Sequence, residues 1–495
     1  MPWTAFIPAA LLAALTAFPS LAEAPTSTGV DRPAIAAAVK SLMQDVSQAS
    51  DVSAALGLPH VDTSFPPPTV PPFPDGPAAE IADGKLQLGL SQLAIHAGTN
   101  GHIAVVQAQK GNDDALFLKS GFTSLTALAQ AAQDQGLTGI ALDGQTVRLT
   151  RPLIVWMGAG LRLAPGDVLE MDSESGAFVL GFGQVAAEGA TIAAVNTAGT
   201  FRPFLLVAGQ GTLVLQDSRI DGLGLNRSDN FGGVSVLTRG LFRPEHPPVV
   251  TGNVFTDTGV VFLGGSENAI VADNAFDASR SGGLTLSATT GAQVYRNTVT
   301  GSLGAAGLRL RDGAFDTAVV GNTVSGGRTN GIQIEGNSRN VRLAGNTVAG
   351  NGAVGIVLRR TACAELTANI VAGNDAVGVK LQQSGLVEID GNAFLQNGGA
   401  GASIEGQPDA QPVALSGNLF SGNREGLAGS DAGQVTLSGD NFGGQLPRLF
   451  GGEFAQHLPG YLTARDQLGQ TDFALHPDAV TQVAAATLSN PCQDR

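Results

Sequence analysis

Apolar and polar residues alternate in short stretches broken by glycine and asparagine, and this pattern repeats about every 23 residues through the middle of the chain. Each repeat contains an asparagine followed two residues later by an apolar side chain, and a glycine that opens an apolar–polar–apolar stretch. Period-two alternation predicts β-strands, and a fixed period of about 20–50 residues predicts a solenoid. No helical stretch interrupts the repeats. We therefore predict a parallel β-helix whose coils stack about 4.8 Å apart.

Structure alone explains the repeated asparagines. Stacked asparagine side chains hydrogen-bond along a column, and asparagine tolerates the left-handed backbone of a tight corner. We expect one column without a catalytic role, preceded by Ser218 in an earlier coil. Its predicted members are Asn253, Asn274, Asn297, Asn322, Asn346, Asn369, Asn392, Asn418 and Asn441.

The rest of the chain divides into segments around this solenoid. An apolar stretch, Phe6 to Phe18, is too short to span a bilayer and ends near an Ala-x-Ala pattern, which predicts a signal peptide. The predicted fold class is all-β, a parallel β-helix with a small N-terminal α/β appendage and a C-terminal cap. The predicted bounds are 1–24 for the signal peptide, 25–80 for a helix and a Pro-rich linker, 81–145 for an N-terminal capping region, 146–445 for the β-helix and 446–495 for the C-terminal cap.

Three local elements are predicted ahead of the solenoid. Pro33 to Ala49 is alanine-rich and predicts a short helix, whereas His102 to Val106 predicts a strand. Ser124 to Gln135 predicts a second helix, with Ser124 or Thr123 as its N-cap. We expect this second helix to cover the open end of the solenoid, because exposed strand edges promote aggregation.

Composition restricts the possible partners. The formal net charge of −15 disfavours nucleic acid and anionic membrane surfaces, both of which select basic proteins. No stretch after the signal segment is long and apolar enough for a membrane span. Two cysteines cannot form a disulfide framework, and Cys363 is predicted to be a small buried filler.

Function must come from side chains that point outward from the glycine-led strands. Arg309, Arg311, Arg359 and Lys380, here called the basic stripe, share these outward positions in an otherwise acidic chain. Clustered cations predict an anionic ligand, and the long face of a solenoid suits a polymer. The alternative is an Arg311–Glu335–Arg359 ladder that neutralises itself. The predicted ligand-binding residues are Arg309, Arg311, Gln333, Glu335, Arg359, Lys380 and Gln382.

Several segments resemble the bacterial periplasmic mannuronan C5-epimerases of alginate biosynthesis. The best marker is Thr200 to Leu206, which contains Phe-Arg-Pro-Phe; further similarity lies in 147–155, 215–220, 233–236 and 331–338. The resemblance implies a right-handed β-helix in the periplasm that inverts C5 of mannuronate residues in polymeric alginate.

The catalytic motif of that family, Asp-Pro-His-Asp, is not retained. Its positions match Thr285, Leu286, Ser287 and Ala288, so the histidine expected to remove the C5 proton is replaced by Ser287. Epimerisation needs a base, a proton donor on the opposite face of the sugar, and cations that neutralise the carboxylate. This chain keeps cations but lacks the expected base.

Three functions remain open, of which we favour the first. In the first, the chain is a non-catalytic component of an exopolysaccharide export machine and binds an acidic polysaccharide beside other export proteins. In the second, it is an active polyuronate C5-epimerase or lyase with a relocated base. In the third, it is a structural or adhesin solenoid. Candidate relocated bases are Glu335, Lys380, Tyr295 and His246. No outward acidic cluster suits Ca²⁺, so we expect neither a metal nor a cofactor.

Overall fold

A computed structural model describes residues 32–45, 48–74, 76–97, 102–109, 113–225, 229–240, 242–408, 411–445, 447–468, 471–475 and 480–482. The predicted signal peptide lies outside these residues. The predicted parallel β-helix is confirmed: three strands per coil stack in register on the equivalent strands of the next coil, giving three parallel sheets.

The strands follow one another in the order sheet 1, sheet 2, sheet 3 within each coil. Sheet 1 contains Leu153–Val155, Val179–Gly181, Leu205–Ala208, Gly233–Leu237, Val260–Gly264, Leu284–Ser287, Leu308–Arg311, Ile332–Glu335, Ile356–Arg359, Val379–Gln382, Ala400–Glu405, Glu425–Ser430 and Arg448–Gly452. Sheet 2 contains Ala159–Leu163, Gln184–Glu188, Leu213–Gln216, Val249–Thr251, Ile270–Ala272, Gln293–Tyr295, Phe315–Val320, Arg339–Ala344, Ala362–Thr367, Gly385–Asp390, Val413–Ser416, Val435–Ser438, Asp472–Leu475 and Val480–Gln482. Sheet 3 contains Ile140–Asp143, Thr146–Leu149, Val168–Asp172, Thr191–Val195, Arg219–Asp221, Val254–Thr256, Ala275–Asp277, Thr298–Thr300, Thr323–Ser325, Thr347–Ala349, Ile370–Ala372, Ala393–Leu395, Leu419–Ser421 and Asn441–Gly444.

Helices lie at the two ends and along the outside of the solenoid. The described helices are α1 (Arg32–Gln44), α2 (Ala49–Ala55), α3 (Leu86–Ala97), α4 (His102–Ala108), α5 (Leu125–Asp134) and α6 (Leu458–Leu468), with 3₁₀ turns at Asp229–Phe231 and Glu453–His457.

The N-terminal end of the solenoid is closed by an antiparallel strand pair and a helix. Glu80–Lys85 pairs with Asp114–Ser124, which continues into both sheet 1 and sheet 2. Helix α5 then buries Leu125 and Leu128 over the open end of the core. Its N-cap is Ser124, whose Oγ accepts a hydrogen bond from the backbone N–H of Ala127 at 3.3 Å, as predicted.

The strand predicted from His102 to Val106 is wrong, because these residues belong to α4. A short apolar run does not distinguish a strand from a buried helix by itself. Here α4 buries Val105 against an apolar cluster on the outer face of sheet 1, which only a tertiary contact could reveal.

The asparagine column is a continuous hydrogen-bonded ladder from Asn253 to Asn418. In a typical step, Asn322 Oδ1 accepts from the backbone N–H of Asn297 at 3.0 Å and from its Nδ2 at 2.9 Å. Asn297 Nδ2 also donates to the carbonyl of Val271, so every amide group is satisfied inside the core. Ser218 begins the column as expected, since its N–H donates to Asn253 Oδ1 at 3.0 Å.

The last position of the column is Asp440, which corrects the prediction of Asn441. Asn418 donates to Asp440 Oδ1 from its N–H at 2.9 Å and from its Nδ2 at 2.8 Å. The apolar residue two positions later is then Phe442, which stacks on Phe420 at 4.6 Å, so the repeat does not lapse. The sequence repeat was defined by asparagine, so it passed over Asp440, although the Oδ1 atom of this aspartate accepts the same two hydrogen bonds as an asparagine Oδ1.

A second amide ladder runs beside the first and was not predicted. Asn374 Oδ1 accepts from the N–H of Asn351 at 3.1 Å and from its Nδ2 at 3.0 Å. The series continues through Asn397 and Asn423 and ends on Gln445. Two ladders therefore fix both ends of the sheet 3 strands in the later coils.

An extended segment, residues 59–74 and 76–77 and here called the strap, lies along the outside of the solenoid. Phe65 stacks on Tyr295 at 4.2 Å, and Arg296 Nη1 donates to the carbonyl of Thr63 at 2.7 Å. The strap approaches the corner at Gly391 so closely that a Cβ there would lie 2.5 Å from Pro59 Cγ. The Pro-rich stretch predicted as a linker is thus packed against the coils.

Helices α1 and α2 precede the strap and pack on the outer face of sheet 3. Ile35, Val39, Leu42 and Val52 are buried there. Their partners come from the later coils and are Ala349, Ile370, Ala372, Ala393, Leu395 and Leu419.

The C-terminal end is closed by an aromatic cap. Phe442, Phe450 and Tyr461 contact one another, and Tyr461 packs on Phe473 at 4.6 Å. The strand Asp472–Leu475 turns antiparallel to Val435–Ser438, which ends the parallel stacking.

Cys363 is half-buried and disulfide-bonded, so its prediction as a buried filler is wrong. Cys492 is the only other cysteine in the sequence, and it lies outside the described residues.

Asn346→Ala should lower the free energy of unfolding by about 2–4 kcal/mol, because the N–H and Nδ2 of Asn322 lose their buried acceptor. Urea unfolding measures this loss. Thr298→Ala, at an exposed position, is the control and should change stability by less than about 0.5 kcal/mol. Equal effects of the two substitutions would contradict a stabilising ladder.

Asp440→Asn should remove a pH dependence of stability. Burial raises the pKa of Asp440 from 3.8 to about 7, against the hydrogen bonds from Asn418, and Oδ2 has no partner among the described residues. A raised folded-state pKa stabilises the fold fully below pH 3.8, and this contribution is lost as pH rises towards 7. The wild type should therefore lose on the order of 2 kcal/mol more than the variant between about pH 5 and pH 8.5.

The measurement is the free energy of unfolding of both proteins across that range. Parallel pH profiles would contradict a buried acid at this position. Asn392→Asp, inside the ladder, should introduce the same dependence.

Candidate functional site

Strand pairing in sheet 1 aligns the two outward columns. Thr285, Arg309, Gln333, Val357, Lys380 and Ser403 are successive partners in one column. The neighbouring column includes Ser287, Arg311, Glu335, Arg359, Gln382 and Glu405. The alternation places Leu286, Leu310, Ile334 and Leu358 in the core between them.

The same face of sheet 1 is covered in the earlier coils. Outward-facing Leu180, Leu206 and Phe262 are buried beneath α3, α4 and a cluster of phenylalanines that includes Phe204 and Phe231. Polar outward side chains become partly accessible from Arg309 onward. The basic stripe therefore lies on the open part of a face whose other part is closed.

Arg309, Glu335 and Arg359 form a bridged ion-pair triad across three coils. Arg309 Nε donates to Glu335 Oε1 at 2.8 Å, and Arg359 Nη2 donates to Glu335 Oε2. The Glu335 side chain is only 7% exposed, whereas that of Arg359 is 44% exposed. The predicted self-neutralising ladder is therefore corrected: Arg309, not Arg311, is the second partner of Glu335.

The triad determines the ionisation of Glu335. Burial by itself raises the pKa of this carboxyl group. Hydrogen bonds from Arg309 and Arg359 and the charge of Arg309 lower the pKa by more than burial raises it, so the pKa of Glu335 lies below its usual value. Glu335 is therefore ionised at neutral pH. A carboxylate held in this way is a poor base, because a general base needs a pKa near the working pH.

Arg311 belongs to a different cluster. Its Nη2 lies 3.0 Å from Asp229 Oδ2, its Nε lies 3.3 Å from Asp312 Oδ2, and its guanidinium sits over the ring of Phe262. Asp312 also accepts a hydrogen bond from Ser287 Oγ at 2.8 Å.

Lys380 lies at the far end of the stripe and pairs with Glu405 at 2.9 Å. Gln333 Oε1 accepts from Asn330 Nδ2 at 3.0 Å, and Gln382 is the register partner of Arg359. Each cation of the stripe thus has a carboxylate neighbour, so the excess of positive charge expected from the sequence is offset locally.

The positions that match the missing catalytic motif are mostly covered. Thr285 and Ser287 face outward but are 3% and 9% exposed, and Leu286 belongs to the core. Ala288 follows the strand with a positive φ of 52° and is exposed. Ser287 therefore has a carboxylate neighbour, Asp312, and no hydrogen bond to a histidine among the described residues.

The other candidate bases do not join the stripe. Tyr295 lies in sheet 2 beneath Phe65, and burial raises the pKa of its hydroxyl. His246 is exposed on the connection between Gly233–Leu237 and Val249–Thr251. Of the four candidates, only Glu335 and Lys380 lie on the open face.

Sequence reasoning missed Asp229 and Asp312 as partners of the stripe. The position of Asp312 was a usable signal in the sequence, because this residue directly follows Arg311 at the end of its strand. Asp229 lies in a 3₁₀ turn outside the periodic repeats, and it reaches Arg311 only because that segment folds back over sheet 1.

A cavity of about 550 Å³ shares no lining residue with the stripe. Its lining includes Gln107, Ser173, Glu174, Thr200 and Phe201, the last two from the segment that contains Phe-Arg-Pro-Phe. Within the described ranges, no group of three or more His, Cys, Asp or Glu is arranged to hold a metal ion.

The architecture and the open polar face define the class of protein. Comparison with models of protein families matches "Right handed beta helix region" over residues 180–363 and 306–445. Because these matches together span more than half of the chain, the chain belongs to the right-handed β-helix family.

Solved structures with a similar fold include the periplasmic alginate epimerase AlgG. It superposes with a TM-score of 0.62 at 18% identity, over 78% of this chain and 99% of that chain. A double mutant of the same epimerase gives 0.62 at 17%, over 79% and 98%. The A-module of the Azotobacter vinelandii mannuronan C-5 epimerase AlgE6 matches more loosely, at 0.30 and 14%, over 66% and 89%.

At these identities, the AlgG match shows a shared fold and no more. The resemblance predicted from the sequence is confirmed at that level. A search of curated proteins finds no match.

Glu335→Gln should destabilise the fold by about 1–3 kcal/mol at pH 7, because two guanidinium groups lose their shared buried partner; the solvent exposure of Arg359 keeps the effect at this level. A lowered folded-state pKa stabilises the fold above the ordinary pKa of 4.5, and this stabilisation is lost as pH falls through the folded value. The difference between wild type and variant should therefore shrink below about pH 4.

Chemical unfolding between pH 3 and pH 7 measures this difference. Glu405→Gln is the matched control, because its ion pair with Lys380 is more exposed and should contribute less than about 1 kcal/mol. A pH-independent difference for Glu335→Gln would contradict an ionised, clamped carboxylate.

Proposed function

We propose that this chain is an exported protein that binds an acidic polysaccharide, a polyuronate of the alginate type, along the open part of sheet 1. In this proposal it guides or shields the polymer beside other exopolysaccharide export proteins. The basic stripe supplies the contacts to carboxylates, and Gln333 and Gln382 contact hydroxyl groups.

The triad is the observation that carries the proposal. Glu335 is buried and holds Arg309 and Arg359 two coils apart, while Arg359 donates to it from Nη2 and its side chain is 44% exposed. A planar guanidinium fixed from beneath is well suited to bidentate binding of a carboxylate, because less conformational entropy is lost when the ligand arrives. The triad also carries one net positive charge.

A polymer matches the spacing of these groups. Cations on successive coils are separated by multiples of about 4.8 Å along the solenoid. Sugar residues of an extended chain can therefore meet several coils at once, and the separate weak contacts add through one connected ligand.

Export is supported by three features. The sequence begins with a predicted signal segment, and Cys363 is disulfide-bonded, a bond that persists in oxidising compartments such as the periplasm. AlgG, which has a similar fold, is a periplasmic alginate epimerase.

Binding without efficient catalysis is favoured by the state of the candidate bases. Thr285 and Ser287 are buried, and the pKa of Glu335 is lowered. Removal of the C5 proton requires a base that accepts it near neutral pH, and general base catalysis contributes typically about 10²–10⁴-fold.

One observation favours the alternative of an active epimerase or lyase. Asp312 is 59% exposed and touches Ser287, the position that matches the catalytic histidine of the epimerase family. Asp312 would then act as the relocated base, beside Arg311 as the cation.

Arg311→Ala combined with Arg359→Ala should weaken binding of mannuronate oligomers about 10-fold or more and flatten its salt dependence, because exposed charge contacts are screened within about 8–10 Å. Calorimetric titration at several salt concentrations measures both effects. Arg148→Ala combined with Arg162→Ala removes two exposed, ion-paired arginines elsewhere and is the matched control. Equal affinity of the stripe variant and the control would reject the stripe as the binding site.

Incubation of the wild type with polymannuronate, followed by proton NMR of the C5 configuration, separates binding from catalysis. We expect little or no conversion. Turnover that is lost in Asp312→Asn would instead establish the relocated base.

A further inference from the structure

The N-terminal segment, residues 32–45, 48–74 and 76–77, is the first described part of the chain but packs on some of its last coils. Its helices contact side chains as late as Leu419, and the strap then runs back across earlier coils to the start of the solenoid. These contacts cannot form until the coil that contains Leu419 exists. The segment must therefore settle after the surface beneath it has been built.

The strap is held mainly by side-chain packing. Phe65 covers Tyr295, and Val61 packs with Ala272, Val320 and Ala344 of the outer sheet 2 column. The strap contains eight prolines, which have no N–H to donate. Two hydrogen bonds to the coils are described, from Arg296 to the carbonyl of Thr63 and from the N–H of Phe122 to the carbonyl of Pro77.

The solenoid beneath is held differently. Its coils are joined by parallel strand pairing on three sides and by two amide ladders. Loss of the strap would break none of these bonds. The two parts of the molecule thus differ in the kind and number of their contacts, which is the condition for local opening at a lower free energy than global unfolding.

We propose that this segment, residues 32–45, 48–74 and 76–77, forms a latch that closes only after the solenoid has folded and that opens as a unit while the solenoid stays folded. When open, it exposes an apolar strip on the outside of sheets 2 and 3. The strip consists of Ala272, Tyr295, Val320, Ala344, Ile370, Ala372, Ala393 and Leu395.

Hydrogen exchange of the full-length protein, read by mass spectrometry, tests the latch. In the wild type, peptides from α1 and α2 should exchange at least 10-fold faster than sheet 1 peptides of the same coils, under conditions where the solenoid is native. Val39→Asp and Phe65→Ala should each increase exchange in α1 and α2 by a further 10-fold or more and leave the coil peptides unchanged.

Phe242→Ala is the matched control, because Phe242 is a partly exposed aromatic residue outside the latch, packed edge-on against His96. Nitration of Tyr295 gives a second local readout: it should be slow in the wild type and in the control, and fast in both latch variants. Exchange that rises together in α1, α2 and the coils would show a single cooperative unit and overturn the proposal. Protection of α1 and α2 equal to that of the coils in the wild type would overturn it as well.

Discussion

Hydrogen bonding along the buried amide ladder is the constraint on which the other features depend. Each asparagine binds both the side chain and the backbone of its neighbour, so one coil cannot shift relative to the next without leaving buried amide groups unpaired. This requirement fixes the register of sheet 3, and through the short coils it fixes the register of the other two sheets. A one-residue slip would turn every core side chain of a strand outward.

Because the ladder fixes register, it also positions the outward columns. Arg309, Glu335 and Arg359 stand on three consecutive coils, and the triad forms only when those coils are aligned. The core thus supplies the rigidity that the exposed arginines lack by themselves. Glu335 can be buried in its ionised form because the stacking of the coils places Arg309 and Arg359 on either side of it.

The periodic part of the molecule was predictable from the sequence, and the aperiodic part was not. Alternation gave the direction of each side chain in sheet 1, so the members of both columns could be named. Alternation could not identify Asp229, which reaches Arg311 from a turn outside the repeats. It also could not show that Arg309, and not Arg311, pairs with Glu335. Asp440 was missed because the repeat was defined by residue type and not by the oxygen that accepts the hydrogen bond.

The strap illustrates the same limit from another direction. A run of prolines specifies an extended backbone but does not specify the surface on which it lies. That surface is made by small residues at the coil corners, such as Gly391, which let Pro59 approach closely. Glycine at such a corner can be explained locally by its positive φ alone, so a second role in receiving the strap becomes visible only in three dimensions. This chain and AlgG have a similar fold. A solenoid of this kind can carry different groups on its faces, so function must be decided from those groups and not from the solenoid.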